Sequence, residues 1–138
     1  MPRRIGYPDE GYVGGRKFLR YNHRFVITAA GAILAGSQDD RAKSGVLAAK
    51  TGSEVGRYTL TLNDKAKQFR GGQATLIGPA DATFGALTVG LMNIFRNDLL
   101  STNAQSVDLQ FVNASGNFTD AELPSGTIVI VDFLVLVG

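Results

Sequence analysis

The clearest structural signal in the sequence lies at Tyr58-Thr59-Leu60-Thr61-Leu62. Its large apolar residues fall on one side of an extended chain and its threonines on the other, which is the period-two pattern of a half-buried strand. Tyrosine and threonine are both enriched in strands. Asn63 and Asp64 follow directly and have the side chains that favour turns. The stretch therefore predicts a strand over residues 58–62 with one buried face.

Related patterns recur on both sides of this strand. Residues 19–27 alternate in the same way, with Leu19, Tyr21, His23, Phe25 and Ile27 on one side. Further strands are predicted at residues 46–49, 74–77, 107–112 and 127–137. The last of these is apolar on both sides, which is typical of a strand covered on both faces, at the centre of a sandwich or against another subunit. Asp132 interrupts it, so this carboxylate must be solvated, paired or placed at a bulge.

Two segments have less clear patterns. Residues 65–70 are compatible with a single helical turn before Gly71-Gly72. Residues 86–95 alternate as a strand does, although a helix over 84–100 would also give an apolar stripe. Two glycines inside that helix would each cost about 1 kcal/mol relative to alanine. We therefore favour the strand.

The number of strands and the composition together indicate the fold class. The 138 residues are 44% apolar and 19% charged, which is ordinary globular usage, and this length suits one domain. Seventeen glycines and seven or eight short strands indicate many tight turns. The sequence predicts an all-β protein, either an antiparallel β-sandwich or a small β-barrel, with one domain over residues 18–138.

Residues 1–17 have a different character from the rest of the chain. They are rich in glycine and proline, and such breakers argue against any helix or strand there. The first 24 residues hold six of the fourteen lysines and arginines but only two of the twelve acidic residues. We interpret residues 1–17 as an extended basic arm, which would bind an acidic protein surface or nucleic acid phosphates, or remain a solvated tail.

The sequence contains few of the side chains that catalysis or metal binding requires. Cysteine is absent and His23 is the single histidine, which excludes thiolate sites and zinc sites built on histidine pairs. His23 lies on the apolar side of its strand, where a packed, hydrogen-bonded histidine is expected. We therefore expect no catalytic residues, no metal and no cofactor, and a protein that is not an enzyme.

Targeting and nucleic-acid signals are also weak. No apolar stretch with a cleavage site follows the early arginines, and the longest apolar run, residues 128–137, is about half of the ~20 residues that a membrane helix needs. The expectation is a soluble protein made in the cytoplasm that does not bind a membrane. Single Gly-Gly-Arg and Arg-Gly-Gly tripeptides are expected by chance in a glycine-rich chain, so we do not expect nucleic acid to be the partner.

Four segments carry a resemblance to a known group of proteins. Residues 56–64 read Gly-Arg-Tyr-Thr-Leu-Thr-Leu-Asn-Asp, and 73–76 read Gln-Ala-Thr-Leu. Residues 107–116 read Val-Asp-Leu-Gln-Phe-Val-Asn-Ala-Ser-Gly, and 124–127 read Pro-Ser-Gly-Thr before the apolar last strand. These segments resemble small structural proteins of tailed-phage virions, in particular capsid decoration (cement) proteins.

The resemblance implies a role on the capsid surface of a virion assembled in the host cytoplasm. Such proteins are small β-barrels or sandwiches, often trimers, that bind the major capsid protein lattice and stabilise the shell without chemistry. The arm would then bind the capsid through Arg3, Arg4, Tyr7, Tyr12, Arg16 and Arg20. The last strand would fill a subunit interface with Ile128, Ile130, Phe133 and Val135.

Alternative functions remain at this stage. The same features fit another virion component, such as a tail, head-fibre or baseplate protein. They also fit a β-barrel module that binds carbohydrate or nucleic acid.

Overall fold

The computed structural model describes residues 9–13, 15–79, 89–97, 105–112 and 123–137. In chain order the elements are β1 (Asp9–Val13), β2 (Arg16–Val26), a 3₁₀ turn (Ala29–Gly31), α1 (Arg41–Ser44), β3 (Val46–Lys50), β4 (Arg57–Leu62), β5 (Gln68–Ile77), β6 (Val89–Asn97), β7 (Ser106–Val112) and β8 (Ile128–Val137). The predicted all-β class is confirmed.

The described strands form two antiparallel sheets of four strands each. Sheet I has the strand order β1-β2-β8-β5, and sheet II has the order β3-β4-β7-β6. The sheets do not close into a barrel, so of the two predicted architectures the structure has the two-sheet one. The last strand, β8, lies inside sheet I between β2 and β5, so it pairs with a strand from the first 26 residues of the chain.

The core lies between the two sheets and is built on aromatic side chains. Phe25 of sheet I contacts Tyr58 of sheet II, with ring centroids 5.5 Å apart, and Tyr58 meets Phe111 edge-on at 6.0 Å. Tyr21 and Phe133 stack at 5.1 Å on the sheet I side. All five residues are fully buried, and the period-two pattern of β2 and β4 predicted this for Tyr21, Phe25 and Tyr58. Contacts of this kind add to the free energy of burying the rings.

The N-terminal region differs from the predicted arm. Residues 9–13 form strand β1, which pairs with β2 from Asp9↔Arg20 to Val13↔Arg16, and Gly15 in the turn has φ +76°. A glycine at positive φ suits the tight turn of a hairpin. The expectation that no strand forms in residues 1–17 is therefore wrong for this part. Residues 1–8 lie outside the described residues.

Strand β5 is longer than the sequence predicted. It begins at Gln68, so residues 68–70 are extended and the predicted helical turn over 65–70 is wrong. Gly71 and Gly72, which follow the predicted turn, lie inside the strand, where the register with β8 shifts between Phe69 and Gly71 and Gly71 has φ +135°. Glycine permits such a bulge because it tolerates positive φ.

Strand β6 covers part of residues 84–100, for which the sequence allowed a strand or a helix. Val89–Asn97 is a strand paired with β7, as we favoured, and residues 84–88 and 98–100 lie outside the described residues. Among the described residues, no helix has the length and hydropathy needed to cross a bilayer.

Candidate functional site

The side of sheet I that faces away from sheet II is the most distinctive surface of the described chain. We call it the outer face. Strand register aligns its side chains in rows across β2, β8 and β5, because directly paired residues share one face of a sheet. The rows are Phe18–Leu136–Gln68, Arg20–Leu134–Gly71, Asn22–Asp132–Gln73, Arg24–Ile130–Thr75 and Val26–Ile128–Ile77.

The apolar side chains of this face are unusual for an open antiparallel sheet. Such a sheet normally presents alternating polar residues to solvent on its free side. Four of the five outward residues of β8 are instead isoleucine or leucine, and the fifth is Asp132. Leu134 is 40% exposed and Ile77 on the neighbouring strand is 47% exposed. Grouped apolar residues on a surface mark an interaction site more often than isolated ones do.

The middle of the outer face is polar and is held by an ion pair. Arg20 donates to Asp132 through two parallel hydrogen bonds, Nε to Oδ1 at 2.9 Å and Nη2 to Oδ2 at 2.8 Å. The hydrogen bond from Arg20 holds the pKa of Asp132 below its ordinary value. The prediction that Asp132 is solvated, paired or at a bulge is confirmed, because it is paired. The ion pair links β2 to β8 through two residues that are 112 positions apart in sequence, and its two parallel hydrogen bonds define their relative orientation.

A shallow open depression lies beside this pair. It has a volume of about 390 Å³ and includes Gly71 and Gly72 together with Gln73 and Leu134. A Cβ atom at Gly71 would meet nothing within 4 Å, whereas a Cβ at Gly72 would lie 2.5 Å from Phe133 Cβ and 2.6 Å from Asp132 O. The glycines thus lower the surface at this point and allow close approach of β5 to β8.

The outward positions of β2, β8 and β5 carry more positive than negative charge. Arg16, Arg20 and Arg24 lie along the outward side of β2, and Asp132 is the one acidic side chain among the outward positions of β2, β8 and β5. Arg24 is exposed, and its guanidinium lies 3.5 Å from Ser37 O. The face therefore combines basic and apolar groups.

The predicted arm residues lie in three places. Arg16 and Arg20 belong to β2 and lie on the outer face. Tyr12 lies on the edge strand β1 and is 70% exposed, but its register partner Lys17 places it on the opposite side of sheet I. Arg3, Arg4 and Tyr7 lie outside the described residues.

The four residues predicted for a subunit interface divide between the two faces of β8. Ile128 and Ile130 are half-buried on the outer face. Phe133 and Val135 are instead 1% and 0% exposed in the core of the same chain, where Phe133 stacks on Tyr21 and Phe69. Phe133 and Val135 already pack against residues of their own chain, so the outer-face positions of β8 are the ones available to a partner.

The structure also brings residues to the outer face that sequence reasoning missed. Arg24, Leu134, Leu136 and Ile77 lie there, although none was singled out. The alternation of β2 did place Arg24 on the polar side of its strand. The local sequence of β2 did not indicate that its polar side lies next to apolar side chains of β8 and β5.

A second cluster surrounds the single histidine. His23 is fully buried; its Nε2 lies 2.9 Å from Gln38 Oε1 and its Nδ1 lies 2.7 Å from Ser44 Oγ. Burial lowers the pKa of His23, partly offset by the hydrogen bond with Gln38 and the nearby charge of Asp39. The expectation of a packed, hydrogen-bonded histidine is confirmed.

The outward side of sheet II carries a polar network on β4 and β7. Thr59 Oγ1 donates to Asp108 Oδ1 at 2.8 Å, and Arg57 Nε donates to Gln110 Oε1 at 3.0 Å. The Gln110 amide also donates to the carbonyl oxygens of Val55 and Phe111. In the part of the chain that the structure describes, no three acidic or histidine side chains group as metal ligands.

Comparison with known proteins returns no match, whether to a protein-family model, a curated protein or a solved structure.

Proposed function

We propose that this chain is a non-enzymatic capsid decoration protein that binds the major capsid protein lattice through the outer face of sheet I. The single observation that supports this proposal most directly is the row of apolar side chains on the outward positions of β8. The exposed part of those side chains leaves water only when a partner covers it, and burial of apolar surface is the dominant favourable term in most protein association. The resemblance of residues 52–138 to small phage structural proteins supplies the identity of the partner.

The charge of the face supports an acidic partner. Arg24 is exposed beside Ile130, and Arg16 extends the basic edge along the same strand. Complementary charge at an interface steers the encounter and rejects wrong partners. Two copies of this face would bring like charges together, so we propose that the outer face binds the capsid, and that any trimer contact uses other surfaces.

The test is co-sedimentation with shells assembled from the major capsid protein encoded in the same genome. The purified chain is expected to sediment with the shells to saturation. Arg24→Glu is expected to weaken binding by about tenfold or more, because like charges facing each other across an interface cost several kcal/mol. Lys43→Glu, a charge reversal at an exposed site on α1, is the matched control and should bind as the parent does.

The outcome also separates the alternatives. Binding that Arg24→Glu does not weaken would contradict the outer face as the docking surface. Absence of shell binding, together with binding to a tail or baseplate component, would replace the decoration function by another virion role. Binding to DNA or to an oligosaccharide alone would indicate a binding module.

The oligomeric state is measured separately by light scattering. A trimer of the 14.7 kDa chain would have a mass of about 44 kDa. A trimer matches the threefold positions of a capsid lattice, whereas a monomer would require that each copy binds the shell independently.

A further inference from the structure

One of the two edge strands of sheet II is β3, the first strand in the order β3-β4-β7-β6. An edge strand presents backbone N–H and C=O groups that invite pairing with another chain. Two bonds at the ends of β3 show which groups turn toward β4: Asn63 N donates to Gly45 O and Thr51 N donates to Arg57 O. By alternation, the backbone groups of Val46 and Ala48 point away from the sheet.

A glutamine side chain occupies this edge where a strand would pair. Ala48 N donates to Gln38 Oε1 at 3.0 Å, and Gln38 Nε2 donates to Ala48 O at 3.2 Å. The side-chain amide thus makes both hydrogen bonds that a neighbouring strand would make with Ala48. The pair of contacts also fixes the amide orientation, since exchanging its oxygen and nitrogen would place donor against donor and acceptor against acceptor.

The serine of the histidine cluster contacts the same edge two residues earlier in the strand, where it accepts one of the two hydrogen bonds that a neighbouring strand would make with Val46. Val46 N donates to Ser44 Oγ at 3.3 Å, and Ser44 Oγ lies 3.2 Å from Val46 O. Val46 and Ala48, two of the three residues of β3 whose backbone groups point away from β4, are therefore bonded to polar side chains that precede the strand in sequence.

His23 connects these two contacts to the core. Because Gln38 Oε1 is an acceptor, His23 Nε2 carries the proton, and Nδ1 accepts from the Ser44 hydroxyl. The imidazole is fully buried on β2 of sheet I. Its hydrogen bonds with Gln38 and Ser44 therefore come from the core side of these two residues. His23 and Ser44 are buried and Gln38 is partly buried, so losing any of these hydrogen bonds would leave a polar group at least partly desolvated, which favours keeping the network intact.

We propose that Gln38, Ser44 and His23 form an edge plug that prevents β3 from pairing with the β3 strand of a second copy of this chain. The strand suits such a pair. In an antiparallel pair centred on Ala48, exposed Leu47 faces Ala49 of the other copy, and Lys50 at the end is the one charge on the strand. The contact is isologous, since the same strand serves both partners.

The test compares Gln38→Ala with Gln73→Ala, which removes the same side chain from the exposed surface of β5. Light scattering over a range of concentrations is expected to show that Gln38→Ala doubles in mass relative to the parent, whereas Gln73→Ala does not. Hydrogen exchange should show the Ala48 amide unprotected in dilute Gln38→Ala and protected again in the associated form. Adding Leu47→Lys and Ala49→Lys places like charges opposite each other and should restore the parent mass.

Two results would overturn the proposal. One is a Gln38→Ala protein whose mass stays that of the parent at every concentration. The other is association in which the Ala48 amide stays unprotected, since the contact would then lie elsewhere. If Gln38→Ala does not fold, the parent still provides a test: Val46 and Ala48 amides that exchange at the rate of an open chain would show that no plug exists. Shell binding is a separate readout, so this proposal and the decoration function fail independently.

Discussion

At the scale of single residues, His23 shows how burial gives one side chain a structural role. Its two ring nitrogens are bonded to Gln38 and Ser44, and it lies in the core between β2 and the loop that leads to β3. The desolvated ring favours the neutral form, which lowers its pKa from the ordinary value of 6.5. The unfolded chain therefore binds a proton at a higher pH than the folded chain does.

This difference predicts a pH dependence of stability. The contribution of neutral His23 is complete above pH 6.5 and is lost as the pH falls from 6.5 toward the lower folded pKa. The free energy of unfolding should decrease by at most about 1.4 kcal/mol per pH unit in this window. Urea unfolding measures this free energy over the range from about pH 7.5 to about pH 5, which brackets the ordinary histidine pKa. Because the chain has one histidine, His23→Gln should flatten the curve, and an equally steep curve in that variant would contradict the assignment.

At the scale of elements, strands β5 and β8 depend on a glycine for their spacing. A Cβ at Gly72 would lie 2.5 Å from Phe133 Cβ and 2.6 Å from Asp132 O, and one of these contacts is backbone. Side-chain rotation cannot relieve such contacts, so the strands would have to separate. The register shift between Phe69 and Gly71 already bends β5 at this point.

Gly72→Ala is therefore expected to destabilise the protein by about 1–3 kcal/mol, the usual cost of overpacking. The matched control is Gly11→Ala on the edge strand β1, where a Cβ meets nothing within 4 Å. The control should change the free energy of unfolding by less than about 0.5 kcal/mol, as surface substitutions usually do. Denaturant unfolding of both variants measures the difference, and equal stabilities would mean that β5 and β8 are not in close contact.

At the scale of the whole molecule, one hydrophobic core joins the two sheets, and β8 supplies one of its faces. Val129, Val131, Phe133 and Val135 point into that core, and their neighbours in sequence point to the outer face. The two sides of one strand therefore serve different purposes: one stabilises the fold and the other is available to a partner.

Adjacent residues of β8 test this division. Phe133→Ala should cost about 3–5 kcal/mol, because it leaves a cavity in a packed core. Leu134→Ala, one residue along and 40% exposed, should cost less than about 1 kcal/mol while weakening shell binding. Thermal or denaturant unfolding gives the first comparison and co-sedimentation the second. A Leu134→Ala protein as unstable as Phe133→Ala would contradict the face assignment.

Local sequence was sufficient for the fold class and for the buried faces of β2 and β4. Period-two alternation is a property of neighbouring residues, so Tyr21, Phe25 and Tyr58 could be assigned to the core without knowing what they pack against. The pattern of β8 could not be resolved in this way, because both of its sides are apolar and alternation gives no preference between Phe133 and Ile130.

Tertiary structure decided what alternation could not. The register of β8 between β2 and β5 sends Phe133 and Val135 inward, and it places Ile130 beside Arg24 and Leu134 beside Arg20, from the other end of the chain. It also makes residues 68–70 and Gly71-Gly72 part of one paired strand with a bulge, where the sequence predicted a helical turn before these glycines. Pairing between distant segments sets these positions, and no window of sequence contains both partners of such a pair.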